Sequence, residues 1–190
     1  IGWYMVSSGL VDRVDVSHFR LSIHLLIAFL ILSLIFWNYL KYQKKYYQVE
    51  NGINSIIPFV FLLLILTQIV IGAFVSGMDA GKIYNSWPLM GSSYFPDDNK
   101  IESLFSLSAF NDPSLVQFIH RNLAYFILLL YVYMLIKVFK KKIKNLYFST
   151  IVIGFLLVLQ IVLGIFTLIY GAQIILASMH QISSIFLVSS

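Results

Sequence analysis

Long apolar runs separated by short polar segments dominate the chain. Asp, Glu, Lys and Arg are absent from residues 21–40, 51–78, 122–136 and 145–190. Because about 20 apolar residues cross the hydrocarbon core of a bilayer, the last run has room for two helices. The pattern predicts five spans, at about 20–40, 55–76, 117–137, 147–170 and 174–190. These runs lack the alternation of barrel strands, so the predicted fold class is all-α integral membrane.

Composition and charge agree with this class. The 190 residues are 59% hydrophobic and 11% charged, whereas soluble domains are about half apolar and about a quarter charged. The net charge of +5 does not indicate nucleic-acid binding, because most lysines cluster in segments 41–45 and 137–144, between predicted spans. Such clusters place those segments on the inner side of the membrane. The absence of cysteine excludes thiolate chemistry within this sequence.

The second segment between spans, 77–116, is predicted to lie on the outer side. It carries five acidic residues and two lysines: Asp79, Asp97, Asp98, Glu102 and Asp112 against Lys82 and Lys100. Residues 1–19 and the turn at 171–173 belong on the same side. Its glycines and the Trp87–Pro88 step favour an ordered cap over residues 77–99, either a lid over a site or an anchored loop. Residues 100–115 are expected to include a short surface helix.

An internal repeat links two of the predicted helices. The sequence Q-I-V-I-G-A-F from Gln68 to Phe74 aligns with Q-I-V-L-G-I-F from Gln160 to Phe166. A histidine-bearing helix follows each copy, so the predicted unit is a two-helix hairpin. The helix at 20–40 is also of the histidine type, but its Gln/Gly partner is missing. The glutamines are expected to hydrogen-bond between helices, and Gly72 and Gly164 to be close-packing positions.

The chain is interpreted as an internal fragment. Residues 1–54 would end an N-terminal bundle, with one span and its loops. Residues 55–190 would form a C-terminal four-helix bundle whose last helix is truncated.

Three histidines stand near the outer ends of predicted helices. His24, His120 and His180 each lie a few residues inside an apolar span. An ionisable side chain in lipid is costly, so each is a functional-site hypothesis. His120 and His180 are suited to ligate a haem iron from both sides, and His24 would be half of a second pair. Hydrogen-bonded bundle histidines or a proton relay are the alternatives. His18 is expected to be a solvated interfacial residue.

Small and basic residues accompany these histidines. Ala28, Ala124 and Ser184 follow them by four positions, which leaves room for a flat macrocycle one helical turn onward. Arg20 and Arg121 are suited to neutralise haem propionates. Interfacial anchoring by snorkelling arginines is an equal alternative.

The segment from Gly77 to Met90, G-M-D-A-G-K-I-Y-N-S-W-P-L-M, resembles a motif of the haem A synthase family, in its mitochondrial and alphaproteobacterial form. Other stretches are similar to family segments too: Gly2 to Leu10, V-S-H-F-R-L-S-I-H-L at 16–25, Q-F-I-H-R at 117–121 and A-S-M-H-Q at 177–181. The resemblance covers essentially the whole chain.

The resemblance implies an eight-helix protein made of two related four-helix bundles, with helices four to eight in this chain. It implies that His120 and His180 ligate haem b, with Arg121 beside them. His24, with Arg20, would face the substrate, haem O. The implied activity is that of an oxidoreductase that converts the C8 methyl group of haem O to a formyl group, giving haem A for cytochrome c oxidase.

The catalytic residue stays unknown at this stage. The candidate glutamate of the family, in an E-x-x-H-R motif, belongs to an earlier helix, and Gln117 occupies the corresponding position here. The piece alone is therefore expected to be inactive.

The resemblance also implies a setting and partners. The membrane would be the bacterial cytoplasmic (inner) membrane or the mitochondrial inner membrane, with haem sites near the outer side. Implied partners are membrane lipid, haem O synthase, an unidentified electron acceptor and a second copy in a homo-oligomer. The runner-up function is a bis-histidine cytochrome b-type electron-transfer subunit. A transporter is a third reading, although the polar or broken helices typical of transporters are few.

Overall fold

The computed structural model of the protein describes residues 2–9, 16–43 and 54–190. Within them six α-helices follow one another: α1 (Gly2–Gly9), α2 (His18–Tyr42), α3 (Ile56–Gly77), α4 (Pro113–Lys140), α5 (Tyr147–Ile169) and α6 (Ile174–Val188). Short 3-10 helices occupy Ala80–Lys82, Ile101–Phe105, Leu107–Asn111 and Lys144–Leu146. The described ranges contain no β-strand, only one isolated bridge between Met90 and Ser93. The predicted all-α class is confirmed.

Four helical segments are long and apolar enough to cross a membrane. They are His18–Tyr42, Ile56–Gly77, Pro113–Lys140 and Lys144–Ile169. The fifth predicted span is the apolar helix α6, which has 15 residues against the about 20 of a full crossing. The chain is thus a multi-pass membrane protein by the length and composition of its helices. Lys44 and Lys45, which the orientation argument placed on the inner side, lie outside the described residues.

The segments between the predicted spans contain short helices. The sequence analysis placed no span within residues 1–19, where Gly2–Gly9 forms the eight-residue helix α1. The short helix expected within 100–115 is present as two 3-10 helices. The Asp112 side chain then caps α4 by accepting a hydrogen bond of 2.9 Å from the Leu115 amide, with Pro113 at the first helical position.

One buried core joins the last four helices. Its members come from each of α3 to α6: Phe61, Ile65, Ile127, Tyr131, Leu157 and Leu187. Glycine lets α4 and α5 approach at this level, because a Cβ on Gly154 would lie 2.0 Å from the Tyr131 hydroxyl oxygen. That hydroxyl donates a hydrogen bond of 3.0 Å to the Thr150 carbonyl. Tyr131 and Gly154 therefore fix the two helices against each other deep in the bundle.

The start of α2 packs against the end of α3. A Cβ on Gly77 would lie 2.9 Å from the Cβ of His18. The His18 ring lies edge-on to Phe74, with centroids 5.4 Å apart, and its Nε2 atom is buried. The prediction of a solvated His18 is therefore wrong. The first turn of α2 lies against α3, so the His18 imidazole also packs against α3.

Candidate histidine site between the helices

The three intramembrane histidines form one layer near the starts of their helices. His24, His120 and His180 stand six, seven and six residues after the first residue of α2, α4 and α6. At 1.5 Å per residue, each imidazole is about 9–11 Å along its helix. The predicted layer is confirmed.

The imidazole of His120 rests against the first copy of the repeat. A Cβ on Gly72 would lie 3.1 Å from His120 Cε1, so the glycine provides the room that the ring occupies. Gln68, one turn earlier in α3, donates from Nε2 to the His120 carbonyl at 3.0 Å. The same nitrogen lies 3.3 Å from His120 Nε2, which accepts when Nδ1 carries the proton. Gln68 and Gly72 together fix the backbone and the ring of His120.

The second copy repeats two of these contacts with His180, the glycine contact and the glutamine bond to the histidine carbonyl. A Cβ on Gly164 would lie 3.1 Å from His180 Cε1, and Gln160 Nε2 donates to the His180 carbonyl at 2.9 Å. Ser183 adds a hydrogen bond from its hydroxyl to Gln160 Oε1. The predicted interhelical role of both glutamines and the close-packing role of both glycines are confirmed. The repeat is thus a unit of contacts as well as of sequence.

The two units differ in two respects. Among the described residues, only Gln68 approaches the imidazole nitrogen of its histidine, with its Nε2 3.3 Å from His120 Nε2. Leu123 stands in α4 where Ser183 stands in α6, three residues after the histidine. As a consequence, Gln68 Oε1 is buried without a hydrogen-bond partner in the described part of the chain, whereas the corresponding oxygen of Gln160 has one.

The pair His120 and His180 fits a bis-imidazole haem site. Nδ1 of each ring is buried, and neither has a hydrogen-bond partner among the described residues. A group of three or more His, Cys, Asp and Glu that could hold a bare metal ion does not occur in the described ranges. Two buried imidazoles, each with an Nδ1 atom that lacks a partner among the described residues, are instead the kind of donor pair that haem iron takes.

His24 shares the glycine contact of the two units. A Cβ on Gly2 of α1 would lie 3.3 Å from His24 Cε1. The prediction that the glycine partner of this helix is missing is therefore wrong. The signal was available in the sequence, because a glycine precedes an aromatic residue by two positions at Gly2, Gly72 and Gly164 alike. The Q-I-V pattern drew the comparison to Gln68 and Gln160 alone, because the segment at Gly2 does not carry that pattern.

Arg121 contacts the loop between α3 and α4, residues 78–112, which was predicted to lie on the outer side and is called the outer loop below. Its Nη1 donates to the carbonyls of Ser86, at 3.0 Å, and Leu89, at 3.3 Å. Its Nη2 donates to the Tyr84 carbonyl at 3.1 Å, and that carbonyl also accepts from Gln117 at 3.1 Å. Nε is buried without a partner in the described residues. Three of the five guanidinium N–H donors are therefore committed to loop carbonyls.

The basic residue Arg20 and the small residues that follow the histidines by four positions lie in different environments. Arg20 lies over the ring of Tyr4 in α1, 5.8 Å from its centroid. Ser184 is buried and donates to the Gln181 carbonyl. Ala28 lines an apolar groove of about 340 Å³ between α2 and α6, and Ala124 is partly buried. The three small residues therefore do not share one environment.

The outer loop is an ordered cap tied to several helices. Trp87 donates to the Tyr125 hydroxyl at 3.0 Å, next to a cis bond between Trp87 and Pro88. Tyr94 donates to Asn122 at 2.6 Å. Asn85, which the sequence did not single out, donates to the Leu168 carbonyl in α5 at 2.9 Å. The prediction of an ordered cap is confirmed.

Asp98 organises the base of the cap. It accepts hydrogen bonds from Tyr84, at 2.9 Å, and Ser114, at 2.6 Å. Burial raises the pKa of Asp98, but the hydrogen bonds from Ser114, Tyr84 and Asn99 outweigh it and hold the pKa below its ordinary value of 3.8. Burial and the contact with Asp98 raise the pKa of Tyr84.

The fold and the site define a multi-pass helical membrane protein in which helices with glycine and glutamine cradle histidines on their neighbours. The whole chain, residues 1–190, matches the COX15-CtaA family, described as cytochrome oxidase assembly protein. The chain belongs to this family, and the family predicted from the sequence is confirmed.

Relatives of known name are similar along the entire chain. A heme A synthase from Pelagibacter ubique (strain HTCC1062) is 49% identical over 192 residues, which cover 100% of this chain and 56% of that protein. Heme A synthases from Rickettsia bellii (strain RML369-C) and Rickettsia felis (strain ATCC VR-1525 / URRWXCal2) are each 40% identical, over 193 and 197 residues, with 57% of each relative covered. The chain thus spans little more than half the length of these relatives. No solved structure matches it.

Proposed function

We propose that this chain forms part of a haem A synthase, an oxidoreductase of haem A biosynthesis. The reaction would oxidise the C8 methyl group of haem O to a formyl group, and the product, haem A, would serve cytochrome c oxidase. Two observations support the proposal together. The relatives of highest identity above are named heme A synthase, and the histidine–glycine contact occurs at all three intramembrane histidines.

We propose different roles for the three histidines. His120 and His180 would hold haem b as a resident cofactor, which supplies one-electron redox chemistry when bound. Gln68 and Gln160 fix the backbones of these histidines, and the glycines keep space beside the rings. His24, with Arg20 on the same helix, would lie on the substrate side and face haem O.

The proposal includes an arrangement in the membrane. Residues 1–54 would end an N-terminal bundle that binds the substrate, and residues 55–190 would form the C-terminal bundle that binds the cofactor. The histidine layer would lie near the periplasmic or intermembrane side of a bacterial or mitochondrial inner membrane. Haem O would be delivered by a haem O synthase, and a homo-oligomer is part of the proposal.

The test is chemical identification of haems. The complete gene that encodes this chain is expressed in a bacterium that makes haem O but lacks its own haem A synthase, and the extracted haems are identified by chromatography and mass spectrometry. We expect haem A to appear. His180→Ala should abolish it, whereas Met179→Ala, which alters a half-exposed neighbour, should not.

The alternative function predicts another result. A bis-histidine cytochrome b-type electron-transfer subunit would contain haem b and would leave haem O unchanged. That outcome, with the b-type spectrum still dependent on His120 and His180, would overturn the synthase proposal and favour the electron-transfer subunit.

A further inference from the structure

Tyr84 and Asn85 are consecutive residues of the outer loop. Tyr84 contacts α4 of the His120 unit, and Asn85 contacts α5 of the His180 unit. The Tyr84 carbonyl accepts hydrogen bonds from Gln117 and Arg121 of α4, at 3.1 Å each. The Asn85 side chain donates to the Leu168 carbonyl of α5 at 2.9 Å. Because adjacent Cα atoms are about 3.8 Å apart across a trans peptide, this step links the outer ends of α4 and α5 at a short, fixed separation.

The link to α4 is rigid because a guanidinium makes it. Arg121 donates to three loop carbonyls, those of Tyr84, Ser86 and Leu89. A planar guanidinium fork holds such partners in one orientation, which a lysine ammonium does not. Gln117, only 2% exposed, adds a fourth hydrogen bond from the same helix face.

The link to α5 is fixed by both amide hydrogens of Asn85. Besides Leu168, Asn85 donates to the Gly81 carbonyl at 2.8 Å, which sets the direction of its side chain. Gly81 itself approaches the turn after α5, since a Cβ on it would lie 3.5 Å from the Cβ of Ala172. Leu168 stands in the last turn of α5, and its carbonyl accepts from the Gly171 amide at 3.1 Å as well as from Asn85.

The Tyr84–Asn85 dipeptide joins α4, which belongs to the His120 unit, to α5, which belongs to the His180 unit. Arg121 follows His120 directly in α4, while α5 carries Gln160 and Gly164, which hold His180. The deep contact between α4 and α5, at Tyr131 and Gly154, lies about 16 Å below His120 along the helix. A second fixed point at the outer end is what sets the angle between the two helices.

We propose that Tyr84–Asn85 is a brace that sets the spacing of the His120 and His180 units, with Arg121 and Asn85 as positioning residues for that pair. Arg121 acts on the site through the loop, in place of a direct contact with a haem propionate. The role of the brace in haem binding rests on the proposed function. Its role in setting the spacing of α4 and α5 does not depend on that function.

The spacing is measured by electron spin resonance in the cofactor-free, full-length protein. Spin labels are placed on cysteines introduced at Phe126 in α4 and Met179 in α6, both of which are about half exposed. This sequence has no native cysteine, and any cysteine elsewhere in the full-length protein is replaced by serine before labelling. Asn85→Asp removes both donors at constant size, and Arg121→Lys removes the fork but keeps the charge. Each should broaden the distribution of distances between the labels.

Asn99→Ala is the matched control. Asn99 lies in the same loop but donates to Asp98 and Asp112, away from α5, so its replacement should leave the distribution narrow. An unchanged distribution in Asn85→Asp, or equal broadening in Asn99→Ala, would overturn the brace. If Arg121→Lys does not fold, Asn85→Asp and Asn85→Ala carry the test.

A second measurement uses the haem-loaded protein. The low-spin resonance of a bis-imidazole haem depends on the relative orientation of the two rings. Asn85→Asp should retain haem and shift this resonance. If the label distances change but the resonance does not, the brace does not position the His120 and His180 pair. Absence of haem b from the wild type would count against the proposed function alone, since the label distances would still test the brace.

Discussion

Gly72 lies directly against the imidazole of His120, and a Cβ at this glycine would lie 3.1 Å from the ring carbon Cε1. The same distance separates a Cβ at Gly164 from the ring of His180. Two helices that share a sequence motif therefore share a function in packing, which is to make room for an imidazole on the next helix. The glycines are part of the histidine site, although they carry no chemistry of their own.

Replacing either glycine should displace its imidazole. Gly72→Ala and Gly164→Ala introduce a methyl group at a distance that the ring cannot accept without moving, and overpacking of this kind costs about 1–3 kcal/mol. We expect weaker haem retention and a lower midpoint of thermal unfolding in both variants. Gly81→Ala is the control, since its new Cβ makes an ordinary 3.5 Å contact with Ala172. Retention equal to wild type in all three would contradict the packing role.

Gln160 and Ser183 should be energetically coupled. Ser183 donates to Gln160, which in turn donates to the His180 carbonyl at 2.9 Å. In a double-mutant cycle of Gln160→Leu and Ser183→Ala, we expect a coupling of about 0.6 kcal/mol, the average for interhelical hydrogen bonds in membranes. The cycle is measured by reversible unfolding in detergent.

The corresponding cycle in the other unit provides the control. Gln68→Leu combined with Leu123→Ala should show no coupling through a hydrogen bond, because leucine supplies no hydroxyl at this position. Equal coupling in the two cycles would indicate a packing effect instead.

The cap should loosen in acid. Burial raises the pKa of Asp98, but hydrogen bonds from Ser114, Tyr84 and Asn99 bring it below 3.8, so folding favours the ionised carboxylate. Its contribution to stability is complete above pH 3.8 and is lost as the pH falls through the lower folded value. Proteolysis of residues 78–112 by an acid-active protease should accelerate in that range. Asp98→Asn should flatten this dependence, and a profile identical to wild type would exclude Asp98 as its cause.

The two ends of the bundle should differ in access from outside the cell or organelle. Lysine enrichment at 137–144 and acidic residues in 77–116 predict that the cap lies on the outer side. A cysteine in place of Lys100 should react with a membrane-impermeant maleimide in intact cells, whereas one in place of Lys140 should react only after permeabilisation. The opposite labelling pattern would invert the proposed orientation.

Periodicity and charge in the sequence determined the helices and the depth of their histidines. An apolar stretch in a bilayer must satisfy its own backbone hydrogen bonds, so α2 to α5 follow from composition alone. The positions of His24, His120 and His180 near the helix starts follow from counting along those helices. The Q-I-V-x-G-x-F repeat identified which glutamines and glycines act together, because both copies meet their partners in the same way.

Tertiary structure decided which groups touch. Helical periodicity groups residues on one helix face, but it leaves open how that helix is rotated toward its neighbours. In a membrane the outward surface is as apolar as the core, so hydropathy does not reveal the inward face. The partial burial of His18 against α3 and the hydrogen bonds of Arg121 to the cap therefore appear only in the folded chain. The bond from Asn85 to Leu168 joins residues 83 positions apart, a separation at which no local pattern acts.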